Sequence, residues 1–134
     1  MKFDQVIKKI LTEKVVFSPK EDIEIIGVGK FRVKIDSGND AYGVLHGDDI
    51  KIEGDSVHFT TSENKRIVKP LVDTIKINVG AGVEEDRPIV HFDIILRKKA
   101  YKDQKFSIGN RTENEEKALI GLKFLEPLKA LIQC

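Results

Sequence analysis

Only one cysteine occurs in the 134 residues, and it stands last, at Cys134. No internal disulfide can form, which excludes a secreted scaffold stapled by disulfides and fits a reducing compartment. Neither charge is in surplus: 23 basic side chains against 22 acidic leave a formal net charge of +1. A protein that holds nucleic acid usually carries a clear basic excess, so no nucleic-acid partner is expected. The densest basic stretch, Arg97-Lys98-Lys99-Ala100-Tyr101-Lys102, reads as the solvated end of a hairpin. Long apolar runs are missing too, since nothing approaches the roughly 20 residues that cross a bilayer. The N-terminal segment is broken by Asp4, Lys8, Lys9, Glu13 and Lys14, unlike a signal peptide. These absences point to a cytoplasmic protein with no membrane partner.

What is present is a chain that can fold. Forty per cent hydrophobic residues beside 34% charged ones suit a solvated domain with a real core. We expect a single domain over residues 1–134, without repeats or a low-complexity linker. Phe3, Val6, Ile7 and Ile10 recur at helical spacing, so residues 1–17 are expected to form an amphipathic N-terminal helix that packs on the body. Ser18-Pro19 closes it. From Ile23 to Ile108 the period changes to two, as in Phe31/Val33/Ile35, Val57/Phe59 and Ile75/Ile77/Val79. Turn signals separate these runs: Val28-Gly29, Ser37-Gly38, Gly47-Asp48, Gly54-Asp55, Gly80-Ala81-Gly82 and Lys102-Asp103. Many short strands punctuated by glycine predict an all-β body over 18–134, a small barrel or sandwich. Near the C-terminus Leu122-Lys123-Phe124-Leu125 predicts a short helix stopped by Pro127, and residues 128–132 a closing strand.

One stretch carries chemistry. In FRVKIDSGNDA the alternating strand Phe31-Val33-Ile35 runs straight into Asp36, Ser37 and Gly38. Asp, Ser, Gly and Asn are also what an ordinary turn prefers, so three residues alone decide little. The second element comes about eighty residues on: Ala118-Leu119-Ile120-Gly121, then Leu122-Lys123-Phe124-Leu125.

An apolar strand into Asp-Ser-Gly, followed later by Leu-Ile-Gly and a short helix, resembles the retropepsin-like aspartic proteases. The resemblance is greatest to a bacterial and phage branch labelled ATP-dependent zinc proteases, whose members occur with ATP-grasp glutamate ligases. Four blocks match its pattern in order: Lys34-Ile35-Asp36-Ser37-Gly38 through to Leu45-His46, Arg87-Pro88-Ile89-Val90, Gly109-Asn110-Arg111, and Leu119-Ile120-Gly121-Leu122-Lys123-Phe124-Leu125. They span roughly residues 30 to 130. Ser37 replaces the usual Thr, Asp40-Ala41-Tyr42-Gly43 replaces a small hydroxyl-rich stretch, and Leu122 stands where Arg is common.

The resemblance implies a retropepsin-like closed barrel with N-terminal and short C-terminal helices. It implies an aspartic endopeptidase with Asp36 as the catalytic residue. It also implies a homodimer, because the chain holds one Asp-Ser-Gly and has no room for a second lobe. Two close carboxylates share a proton, an effect for which the aspartic-protease dyad is the standard example. One Asp36 then serves as base on a water while the other polarises the peptide carbonyl. Ser37, Gly38 and Gly121 would support the active-site loop, and residues 45–57 or 79–83 would form a hairpin closing over the substrate. The substrate would be a peptide or protein with an acidic tail, bound by Arg87, Arg111 and His46. For the arginines the plainer alternative is a structural ion pair with Glu84, Glu85 or Asp86.

No cofactor is expected. His46, His58 and His91 lack the spacing of metal ligands, so no metal site is expected either. Two other readings stay open. The altered residues 39–43 and Leu122 suit a catalytically inactive barrel that binds or assembles with a partner, and the branch's label suits a metal-dependent hydrolase.

Overall fold

A computed structural model describes residues 16–128 and 131–132 of the protein. Strands dominate it: β1 (Val16–Phe17), β2 (Lys20–Ile25), β3 (Gly29–Asp36), β4 (Gly43–His46), β5 (Asp48–Glu53) and β6 (Ser56–Thr60) come first. They are followed by β7 (Arg66–Pro70), β8 (Asp73–Gly80), β9 (Val83–Leu96), β10 (Lys99–Gly109), β11 (Ala118–Gly121) and β12 (Leu131–Ile132). One short helix, α1 (Leu122–Leu125), follows β11 and runs into a 3-10 turn at Glu126–Leu128.

Period-two patterning builds most of this. In β3, Val33 and Ile35 are buried while Arg32 and Lys34 face solvent. Along β9, Val90, Phe92, Ile94 and Leu96 point inward and Asp93 and Ile95 outward. The inward side chains meet in one core, where Phe92 contacts Phe59 and Phe106 edge to face at centroid distances of 6.5 and 5.9 Å. Each such ring, wholly withdrawn from water, contributes on the order of 2–3 kcal/mol.

Seven strands pair in the order β10-β4-β11-β3-β2-β9-β8. Strand β9 also pairs antiparallel with β10 from Ile89↔Ser107 to Leu96↔Lys99, so the pairing order returns to its first strand. Strand β8 is joined to β9 by a hairpin turning at Gly80-Ala81-Gly82, where all three residues have positive φ. A separate three-stranded sheet has the order β5-β6-β7, and β1 pairs in parallel with β12.

Two expectations are corrected. Val16 and Phe17 are extended and form β1 rather than the end of a helix; the rest of the expected N-terminal helix lies outside the described residues. Lys102-Asp103 is not a turn: it lies within β10, at a shift of register between Tyr101 and Gln104. The chain reverses instead at Arg97-Lys98, both with positive φ. The expected short helix is present and ends at Leu125, with Glu126 as its C-cap just before Pro127, which lies in the 3-10 turn that follows. Of the expected closing strand, Leu131–Ile132 is present.

Candidate functional site

Asp36 ends β3 because the chain turns there. Its Oδ1 accepts the Gly38 amide at 3.0 Å and its carbonyl accepts the Asn39 amide at 3.2 Å, the self-bonding that makes Asp a turn residue. A Cβ on Gly38 would lie 3.3 Å from that same oxygen, so the missing side chain lets the amide close in. The carboxylate is 28% exposed, and its Oδ2 lies 3.7 Å from Lys34 Nζ. Ser37 is exposed at the turn.

The loop beyond Asp36 is pinned from below. Asp36 and Gly121 are partners in the parallel β3–β11 register. The amides of Gly121, Leu122 and Lys123, at the start of α1, donate to the carbonyls of Tyr42 (2.7 Å), Asn39 (2.8 Å) and Ala41 (3.0 Å). Helix-start amides otherwise lack partners, so the loop satisfies α1 while α1 fixes the loop. An added Cβ on Gly121 would drive into the Ala41 carbonyl.

Arg87 and Arg111 stand near this loop but are held differently. Arg87 is 17% exposed, donates from Nε to Glu85 Oε2 at 3.1 Å, and lies so close over Gly109 that a Cβ there would meet its guanidinium. The ion-pair alternative therefore describes Arg87, with Glu85 as partner. Arg111 donates from Nε to the Glu116 carbonyl at 3.1 Å. Burial lowers its pKa and Arg87's charge adds to that, while the Glu116 and Asp36 carboxylates oppose it.

His46 is in the interior, 3% exposed. Its Nδ1 accepts the Arg111 amide at 2.9 Å and its Nε2 lies 2.8 Å from Asp48 Oδ2. The other histidines are on different strands, His58 on β6 and His91 on β9. Among the described residues no group of three His, Cys, Asp or Glu side chains converges as a metal would require.

Several participants escaped sequence reasoning. Asp48 bridges His46 and Asn110, whose Nδ2 lies 3.4 Å from Asp48 Oδ1. Glu116, 10% exposed in its side chain, lies 2.6 Å from Lys20 Nζ, and that contact holds its carboxyl below the usual range. Neither residue sits in a patterned motif, and Glu116 lies in a polar run that carries no sign of its burial.

A hollow of about 270 Å³ opens beside the Asp36 loop, between residues 40–43, Asp73 and Ile75 of β8, Lys105 of β10 and Lys123 of α1. Tyr42 has the ammonium groups of Lys105 and Lys123 at 5.2 and 5.9 Å from its ring centroid, within cation–π range. Asp36 borders this hollow through its loop and is not part of its wall.

No protein-family model matches the chain, and comparison with curated proteins gives no match. Among solved structures the fold is similar to the crystal structure of a Legionella pneumophila protein of unknown function (DUF785). The TM-score is 0.71 at 20% sequence identity, over 89% of this chain and 92% of that one. Identity at that level speaks for a common fold alone.

Proposed function

We propose that the protein is an aspartic endopeptidase of the retropepsin-like type, working as a homodimer with one Asp36 from each subunit. The observation that carries this reading is the Asp36 turn itself: a partly exposed carboxylate at the end of a strand with one buried face, oriented by Gly38 and braced by Gly121 and α1. A structural carboxylate would be expected to sit in a saturated network. Among the described residues this one has a lysine at 3.7 Å and a single amide. The return of the pairing order from β9 to β10 supports a closed barrel of that family.

In the mechanism, one Asp36 takes a proton from water and its twofold mate donates one to the scissile carbonyl. In the family's arrangement the hydroxyl of Ser37, which is exposed here, would meet its copy across the axis. The β8–β9 hairpin is the better candidate cover, because β8 lines the hollow beside the loop whereas β5 and β6 belong to the separate sheet. Arg111, with Lys105 and Lys123, supplies the positive charge that an acidic peptide tail requires.

Asp36→Asn tests the reading directly. Cleavage of acidic-tailed peptides should fall by at least about a thousandfold, with circular dichroism and sedimentation unchanged. Retained activity in that variant would sink the proposal.

A second reading has its own observation. Tyr42 and its two lysines occupy the hollow's wall without Asp36, an arrangement that suits peptide binding without hydrolysis. It predicts saturable peptide binding that Asp36→Asn leaves unaltered and no cleavage by either form.

A further inference from the structure

We propose that His46 is a positioning residue, held as the neutral Nε2-protonated tautomer, whose bare Nδ1 fixes the backbone of Arg111. This rests on the reading of Asp36 as the working carboxylate and of Arg111 as a substrate anchor.

The tautomer follows from the partners. A backbone amide can only donate, so the 2.9 Å bond from Arg111 N–H makes Nδ1 an acceptor without a proton. The ring's proton then sits on Nε2, which donates to Asp48 Oδ2 at 2.8 Å. Asp48 thereby selects the tautomer that Arg111 needs. Its second oxygen lies 3.4 Å from Asn110 Nδ2, so one carboxylate addresses both the histidine and the residue preceding Arg111. A ring carrying its proton on Nδ1 would set a donor against a donor.

The segment held in this way is built for alignment. Asn110 Oδ1 accepts the Thr112 amide at 2.8 Å, and Lys117 Nζ donates to the carbonyls of Arg111, Thr112 and Asn114 at 3.2, 3.2 and 2.9 Å. The Arg111 carbonyl and Nε are thus engaged within their own loop. Two hydrogen bonds tie that loop to β4, the Arg111 amide to the His46 ring and the His46 amide to the Lys117 carbonyl at 2.8 Å. The ring bond is the one that holds Arg111 itself. Strand β4 in turn pairs with β11, the register partner of the strand that ends at Asp36. With a ring that is 3% exposed, His46 reaches substrate only through Arg111.

Nitrogen-15 spectra of the imidazoles at neutral pH test the tautomer, with His58→Gln and His91→Gln assigning the other two rings. The expected His46 signature is a bare Nδ1 and a protonated Nε2; a proton on Nδ1 overturns the proposal. Amide exchange at Arg111 tests the bond. Asn at position 46 can place a carbonyl where Nδ1 stood, whereas the Gln amide reaches the Nε2 position. His46→Asn should keep the Arg111 amide protected, and His46→Gln should speed its exchange by on the order of tenfold or more. Equal protection in the two variants overturns the proposal. In peptide cleavage, His46→Gln should raise KM on the order of tenfold with kcat little changed, and His46→Asn should recover most of it; an unaltered KM counts against positioning. If no peptide is cleaved by the wild-type protein, the enzymatic reading fails, while the spectra and the exchange still decide the role of His46.

Discussion

At Gly121 the backbone of β11 passes under the Asp36 loop so closely that a Cβ would meet the carbonyl oxygens of both Ala41 and Asn39. These are backbone atoms, bonded in turn to the first amides of α1, and they cannot swing aside like the end of a side chain. Gly121→Ala should therefore cost about 1–3 kcal/mol of stability, read as a lower denaturant midpoint, and should reduce cleavage more than that loss explains. A wild-type midpoint would show that the loop yields. A second residue-scale effect concerns acid. The Lys20 ion pair lowers the Glu116 pKa below its ordinary 4.5, with burial opposing. A depressed folded-state value means the pair stabilises fully above pH 4.5 and loses that stabilisation as pH falls through the lower folded value. Glu116→Gln should flatten the stability profile below about pH 4.5, as followed by thermal melts across pH; a profile as steep as the wild type's would place the acid sensitivity elsewhere.

Elements differ in how plainly the chain announces them, and the difference is physical. Strand β3 was readable because only one of its faces is buried, so Val33 and Ile35 alternate with charged neighbours. Strands β4 and β11, Gly43–His46 and Ala118–Gly121, are buried at all four positions, lying between partners on both edges. A short apolar run without alternation reads equally as strand or helix, which is why neither was foreseen as a strand. The same holds for the site: Asp36, Gly38 and Gly121 were marked by motif, whereas the Asp48–Asn110 contact and the Lys20–Glu116 pair became visible only when the fold joined distant segments. Which hairpin covers the site was likewise unreadable from glycine content alone. The β8 edge makes the choice testable. Saturating peptide should slow amide exchange along β8 and at the 80–82 tip, and leave β5 and β6 as they were. Protection confined to β5 and β6 would assign the cover to the other hairpin.

At the scale of the whole molecule the decisive quantity is how activity counts subunits. On the proposed mechanism a chain of 15.1 kDa with one Asp-Ser-Gly would supply half a dyad, because a lone Asp36 cannot be base and acid at once. If the working unit is the twofold dimer, wild-type subunits exchanged with an equal amount of Asp36→Asn should leave about a quarter of the dimers with both aspartates. Activity per dimer should then fall as the square of the wild-type fraction, since a dimer with one Asp36 has no mate to share its proton. A monomeric catalyst would give a straight line, with about half the activity at equal mixing. Mixing must follow dissociation, at a dilution where sedimentation shows the 15.1 kDa species, followed by reconcentration. Quadratic loss together with a pH–rate profile that rises and falls would tie catalysis to a shared-proton pair. A linear loss would leave Asp36 acting alone, and the site would then need a second proton carrier from the same chain, for which Lys34, with its Nζ 3.7 Å from the carboxylate, is a candidate among the described residues.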